Sequence, residues 1–158
     1  MNNHDHIFLK AAIDIAYNGV AANEGGPFGS VVVKDGIIVG EGNNKVLLLN
    51  DPTAHAEIVA IRAACAHLRS YQLSGCTVYT SCEPCPMCLG AIYWARPDRI
   101  VYACTREDAA RINFDDDFIY KEILLPPSAR HIPMEQVGRD LALPLFNFWD
   151  NKSDKQPY

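Results

Sequence analysis

The chain has 158 residues and a formal net charge of −5, from 14 basic and 19 acidic residues. This length suits one domain with a substantial core, and no apolar run approaches the ~18 residues that a membrane span requires. Residues 1–5 lack the basic start of a signal peptide, and no basic stripe favours a nucleic-acid partner. The composition therefore predicts a single domain over residues 1–158, in the cytoplasm, that contacts no membrane, and it disfavours a nucleic-acid substrate.

The first predicted elements are a helix and a β-hairpin. Apolar residues recur with helical spacing over 8–16, and Gly19 marks the end of that helix. Two β-branched runs within 31–39 flank Asp35-Gly36, a two-residue turn typical of hairpins. A second helix is expected to open at Pro52, since Asp51 or Thr53 can cap it and proline suits a first helical position.

A strand–helix–strand unit follows in the second half of the chain. Its predicted elements are the strand Cys76–Thr80, the helix Pro86–Ala95 and the strand Arg99–Cys104. Such a crossover implies a parallel strand pair with a right-handed connection. With a short strand at His131–Val137 and a terminal helix at Leu141–Asp150, the pattern predicts an α/β fold, a three-layer α/β/α sandwich on a mixed five-stranded sheet.

Two short segments carry the chemistry, His55-Ala56-Glu57 and Pro84-Cys85-Pro86-Met87-Cys88. Cys85 and Cys88 are spaced i, i+3, so both sulfurs lie on one face of a first helical turn. His55 and Glu57 reach one pocket only at a helix entrance, where side chains converge past the end. One imidazole and two thiolates leave the fourth position of a tetrahedral zinc open for water, and Glu57 is a base not used as a ligand.

Other interpretations compete with this open zinc site, and one is that a His and a Glu two positions apart arise by chance. An iron–sulfur run beginning at Cys82 lacks the required fourth cysteine at position 92. Cys82 could replace Cys88 as a ligand, but it is expected at a strand end and facing away. A purely structural zinc module gives no reason for Glu57. The cysteines outside the site are predicted to be small buried residues in a reducing compartment, namely Cys65, Cys76, Cys82 and Cys104.

His-x-Glu followed by Pro-Cys-x-x-Cys resembles the signature of zinc-dependent cytidine and nucleobase deaminases. The resemblance implies that His55, Cys85 and Cys88 bind Zn²⁺. It also implies that Glu57 moves protons between the zinc-activated water, a ring nitrogen and the departing amine.

Longer segments resemble the small bacterial guanine deaminases: Gly25–Gly29, Asn43-Asn44, Asp51–Glu57, Ser81–Arg96, Phe114-Asp115-Asp116 and the terminal Tyr158. The resemblance implies hydrolysis of guanine to xanthine and ammonia. The tRNA adenosine deaminases share much of this pattern, so these and the nucleoside deaminases stay alternatives.

The resemblance also predicts the residues that bind the purine base. Phe28 and Trp94 are candidate stacking walls, Asn44 a donor to the acceptor edge, and Ala56 a close backbone neighbour. Asp116 is the predicted second catalytic carboxylate, with Asp115 as the alternative. Tyr158 is expected to complete the pocket of a partner subunit in a homodimer that exchanges residues 126–158.

Overall fold

The computed structural model of the protein describes residues 3–158. The first of two compact units ends at Asp116, and the second covers Asp117–Tyr158. The helices of the first unit are α1 (Asn3–Ala21), α2 (Val46–Leu49), α3 (Ala56–Leu68), α4 (Pro86–Ala95) and α5 (Arg106–Ala110). Its strands are β1 (Gly29–Lys34), β2 (Ile37–Asn43), β3 (Cys76–Cys82) and β4 (Arg99–Cys104). The second unit contains α6 (Asp117–Leu124), a 3₁₀ turn (Pro127–Ala129) and α7 (Arg139–Asn151).

The sheet is mixed, with strand order β2-β1-β3-β4. β1 pairs antiparallel with β2 and β3, and β3 pairs parallel with β4. This confirms the hairpin, whose turn lies at Asp35-Gly36, and the parallel crossover through α4. The bounds of α4 and β4 are those predicted from the sequence.

Helices cover both faces of this sheet, which confirms the three-layer arrangement within the first unit. One face packs Val31, Val33 and Tyr79 against Ala12 of α1. The other face packs Val32 and Val78 against α3 and α4, including Ala60, Ala64 and Ile92. The alternation of inward directions along β1 follows from the two-residue period of a strand.

The prediction of a five-stranded sheet is wrong, because the sheet has four strands among residues 3–158. Residues 131–137, the predicted fifth strand, are irregular. Pro133 removes one ladder donor there. Of the cysteines predicted to be buried, Cys76 and Cys82 are buried and Cys65 is half-buried, but Cys104 is exposed, because it ends β4 at the edge of the sheet.

The start of α3 also differs from the prediction. The helix begins at Ala56 rather than Pro52, because Asp51 instead accepts hydrogen bonds from the backbone N–H and hydroxyl of Thr53 at 2.8 and 2.7 Å. These bonds hold a turn before the helix and lower the pKa of Asp51. Residue His55 therefore becomes the N-cap of α3.

α3 lies unusually close to β2. A Cβ atom built on Gly42 would stand 2.7 Å from the carbonyl oxygen of Ala56 and 2.7 Å from the amide nitrogen of Ala60. Only glycine permits this approach, and it sets the depth at which the start of α3 meets the sheet. No helix in the described part of the chain is both long and apolar enough to cross a membrane.

Candidate active site

The predicted metal ligands meet where two helices begin. His55 is the N-cap of α3, Cys85 is the N-cap of α4, and Cys88 lies one turn into α4. Their ligand atoms all lie within 4.8 Å of one another. The free N–H groups and positive dipole ends of both helices face this point, which favours thiolates there.

The distances fit a tetrahedral zinc ion. The Nδ1 atom of His55 lies 3.5 Å from the Sγ atoms of both Cys85 and Cys88. Zinc bonds of about 2.0 Å to nitrogen and about 2.3 Å to sulfur, at a tetrahedral angle, separate the two ligand atoms by about 3.5 Å. Both nitrogen–sulfur distances therefore fit zinc, and three ligands leave one position of four open.

The protonation of the three ligands is coupled. The neighbouring Cys88 side chain and His55 lower the pKa of Cys85 to about 4 despite its burial. The neighbouring Cys85 and burial raise the pKa of Cys88, and the hydrogen bond with Cys85 raises the pKa of His55. The Cys85 thiolate is thus already stabilised. A bound cation would also stabilise the Cys88 thiolate, because the cation takes the place of the thiol proton.

Glu57 lies beside this group without belonging to it. Glu57 is the second residue of α3 and is only 6% exposed. Thr80 donates its hydroxyl to Oε1 at 3.4 Å, and the Cys88 thiol donates to Oε2 at 3.3 Å. Burial raises the pKa of this carboxyl group, so Glu57 is suited to accept and hold a proton.

A cavity of about 290 Å³ opens over these residues. Its lining combines the metal site, the end of β3 and the loop after α5, and consists of Phe28, His55, Glu57, Cys82, Glu83, Cys85, Arg106, Ala109, Asn113, Phe114, Asp115 and Asp116. This volume is close to the lower end of the range for small-molecule pockets, about 300 Å³. Cys82 lines the cavity but stands outside the ligand group, so it does not replace Cys88.

Both candidate carboxylates of the acidic loop lie at the cavity. Burial and the charge of Cys85 raise the pKa of Asp116, so this carboxyl group interacts electrostatically with a metal ligand. Asp115 also lines the cavity. The assignment of the second catalytic acid to Asp116 stays a prediction, and the nearness of Asp116 to Cys85 favours it.

The predicted base-binding residues differ in their placement. Phe28 lines the cavity and is partly buried. Asn44 is 5% exposed, its Oδ1 accepts the N–H of Val46 at 3.2 Å, and its backbone N–H donates to the carbonyl of Phe28 at 2.9 Å. Ala56 is fully buried at the first position of α3. These three lie next to the site, and their contacts with a base stay predictions.

The two remaining aromatic residues are exposed. Trp94, in the last turn of α4, is 66% exposed and is absent from the described residues that line the cavity. Tyr158 belongs to the second unit and is 73% exposed. Their roles in substrate binding stay predictions.

Sequence reasoning missed the contribution of α5 to the cavity. The backbone N–H of Arg106, its first residue, donates to Glu83 Oε2 at 3.3 Å, and both residues line the cavity. A signal for this helix was present, since Thr105 and Asp108 form a capping box. That signal, Thr-x-x-Asp, predicts a helix start at 105–108.

Comparisons with known proteins agree with this site. The family model for the cytidine and deoxycytidylate deaminase zinc-binding region matches residues 2–104. The guanine deaminase of Bacillus subtilis (strain 168) is 56% identical over 156 residues, 99% of each chain. A tRNA-specific adenosine deaminase of Buchnera aphidicola (subsp. Schizaphis graminum) is 35% identical over 154 residues, 96% of this chain and 97% of the relative.

A solved structure extends the likeness to the fold. The X-ray structure of guanine deaminase from Bacillus subtilis superposes with a TM-score of 0.95, covering 100% of this chain and 99% of that one. The α/β fold with its mixed sheet is therefore cytidine deaminase-like. By its sequence, its fold and its His-Cys-Cys group, the chain belongs to the cytidine and deoxycytidylate deaminase zinc-binding family.

Proposed function

We propose that the protein is a zinc-dependent guanine deaminase, a hydrolase that converts guanine and water to xanthine and ammonia in purine metabolism. The observation that carries the choice of substrate is the 56% identity to a guanine deaminase over nearly the whole chain. The reaction class rests on the site, where three ligands leave a position open and a carboxylate lies beside it.

The protein's own residues account for the proton movements of such a hydrolysis. Zinc held by His55, Cys85 and Cys88 supplies a Lewis acid that lowers the pKa of a bound water toward neutrality. Glu57 takes one proton from the attacking water and passes it to the ring nitrogen; it then takes the second proton from the new hydroxyl group on C2 and passes it to the leaving amine. A carbon–oxygen bond forms at C2 of the base, the bond from C2 to the exocyclic nitrogen breaks, and ammonia leaves. Burial of Glu57 favours its protonated form between these transfers.

The cavity walls suit a flat base with polar edges. Phe28 offers a stacking surface, which is worth roughly 1–3 kcal/mol per base. In this proposal Asp116 accepts from ring N–H groups, and Asn44 donates to O6 or N7. Trp94 and the backbone of Ala56 complete the surroundings of the base.

We also propose that the protein is a homodimer that exchanges residues 126–158, with Tyr158 completing the partner's pocket. The second unit by itself exposes large apolar side chains of α7, among them Leu141 at 82% and Phe148 at 69%. Such a surface requires a cover. Deleting residues 152–158 should lower turnover while zinc content stays at one ion per chain. Wild-type turnover by the truncated protein, or a monomer in light scattering, contradicts this proposal.

The substrate is tested by ammonia release across a panel. Zinc-loaded protein is assayed with guanine, guanosine, adenosine, cytosine and a tRNA anticodon stem-loop. We expect guanine to be the best substrate by kcat/KM. The rival is tRNA adenosine deamination, which the 35% identical relative favours and the net charge of −5 disfavours. Inosine formed in the stem-loop without xanthine formed from guanine supports that rival instead.

A further inference from the structure

We propose that Phe114 is a positioning residue for the purine base, because its ring holds the Phe28 ring in the orientation that stacks on the base. This inference rests on the proposed function, since it concerns how the same pocket binds guanine. It assigns a role to Phe114 and Gly26, and it makes the loop after α5 a determinant of base affinity.

The backbone of Phe28 is fixed on both sides. Its N–H donates to the carbonyl of Gly26 at 2.8 Å, and its carbonyl accepts the N–H of Asn44 at 2.9 Å. The side-chain torsions are therefore the remaining freedom of Phe28. The orientation of its ring depends on what packs against it.

The packing partner is Phe114. The two ring centroids are 5.0 Å apart and the ring planes meet at 89°, an edge-to-face pair. Both rings line the cavity that holds His55 and Glu57. Phe114 is 46% exposed, so burial in a core does not explain its position, whereas an aromatic pair at the cavity does.

Gly26 leaves the space that this pair requires. A Cβ atom built on Gly26 would stand 2.8 Å from Cζ of Phe114 and 3.2 Å from Cδ2 of Phe28. The φ angle of Gly26 lies outside the left-handed region, so the requirement is for space and not for an unusual backbone. A methyl group at this position therefore displaces the same two rings.

Phe114 also ties the stacking wall to the acidic loop. Its backbone N–H donates to the carbonyl of Ala109 at 3.1 Å, which anchors it to the end of α5. Asp115 and Asp116 follow directly and line the same cavity. One anchored turn thus sets both the face on which the base stacks and the carboxylates at its edge.

The test compares Phe114→Leu and Gly26→Ala with a matched control, Phe8→Leu. Phe8 pairs with Tyr79 at a similar centroid distance, 5.2 Å, but packs with α1 against the sheet. For Phe114→Leu and for Gly26→Ala we expect KM for guanine, and Kd for xanthine by calorimetry, to rise about three- to tenfold. We expect kcat to change less than about twofold, and zinc content to stay at one ion per chain. Phe8→Leu should lower Tm and leave KM unchanged.

The double variant Gly26→Ala/Phe114→Leu should show no larger rise in KM than the worse single variant, because both changes act on one ring pair. A wild-type KM and Kd in folded, zinc-loaded Phe114→Leu, or an equal rise in the Phe8→Leu control, overturns this inference alone. Wild-type protein that binds xanthine but releases no ammonia from guanine overturns the proposed function, while the Kd comparison still decides the role of Phe114. Wild-type protein that binds neither purine overturns both.

Discussion

The close approach of α3 to β2 leads to a prediction about Gly42→Ala. The added methyl carbon would stand 2.7 Å from the carbonyl oxygen of Ala56, so it lacks about 0.7 Å of an ordinary 3.4 Å contact. Gly42 of β2 is paired with Ser30 of β1, and β1 is held by β3 on its other side, so this pairing opposes a displacement of β2. The start of α3, with its N-cap His55 and with Glu57, is therefore expected to shift.

The size of this shift determines the expected losses. Metal–ligand distances tolerate only about 0.2 Å, and misplacing supporting groups typically costs about 10- to 100-fold in metal affinity. Overpacking of this kind lowers the free energy of unfolding by about 1–3 kcal/mol. We expect zinc affinity, measured by chelator competition, to fall by about 10- to 100-fold. At saturating zinc, kcat/KM for guanine should be about 100-fold lower.

Gly90→Ala is the matched control, since a Cβ atom there meets no atom within 4 Å. This variant should gain about 0.5–1 kcal/mol of stability as a helical substitution, with wild-type zinc affinity. Gly42→Ala with wild-type zinc affinity and activity refutes the reasoning that the β2–α3 approach sets the ligand geometry.

Two further predictions concern the ligands and the opposite face of the sheet. Cys88→Ser should lose zinc and activity. Cys82→Ser changes a cavity residue outside the ligand group and should keep one zinc per chain by metal analysis. A Cys82→Ser variant that loses its zinc contradicts the ligand set. Tyr79 donates its hydroxyl to buried Asp5 at 2.9 Å, so Tyr79→Phe should cost about 1.5–3 kcal/mol in denaturant unfolding without altering zinc binding. Burial and the bond to Asp5 raise the pKa of Tyr79 in the folded state, so its contribution to stability is complete below pH ~10, the unfolded value, and is lost as pH rises toward the folded value. The stability difference between wild type and Tyr79→Phe should therefore shrink with rising pH in the alkaline range, and a constant difference contradicts this assignment.

The parts of the fold that could be predicted from sequence have strong local signals. α4 starts at Pro86 after the Cys85 cap and stops before Pro97, so its bounds match the prediction. The hairpin follows from Asp35-Gly36 between β-branched runs. The two cysteine ligands follow from their spacing, because i, i+3 cysteines at a helix start can point to one ion, whereas the resemblance to the deaminase signature implies the full set with His55.

The parts that could not be predicted depend on competing local bonds or on tertiary placement. Pro52 resembles a helix start, but the bonds from Thr53 to Asp51 stabilise a turn instead. The cavity residues of the loop after α5, such as Phe114, have no periodic pattern, and their role depends on a contact with Phe28 more than 80 positions away in sequence. Sequence patterns indicate which residues can bind a metal more readily than which residues surround a substrate.

The central claim is that Glu57 serves as proton shuttle for the deamination of guanine at a zinc ion bound by His55, Cys85 and Cys88. The most direct test is the rate of ammonia release from guanine by zinc-loaded wild type and by Glu57→Gln, with zinc content measured on the same samples. The account predicts turnover by the wild type, and in Glu57→Gln one zinc per chain with kcat lowered by about 10²- to 10⁴-fold. Wild-type turnover by Glu57→Gln with its zinc retained contradicts the account.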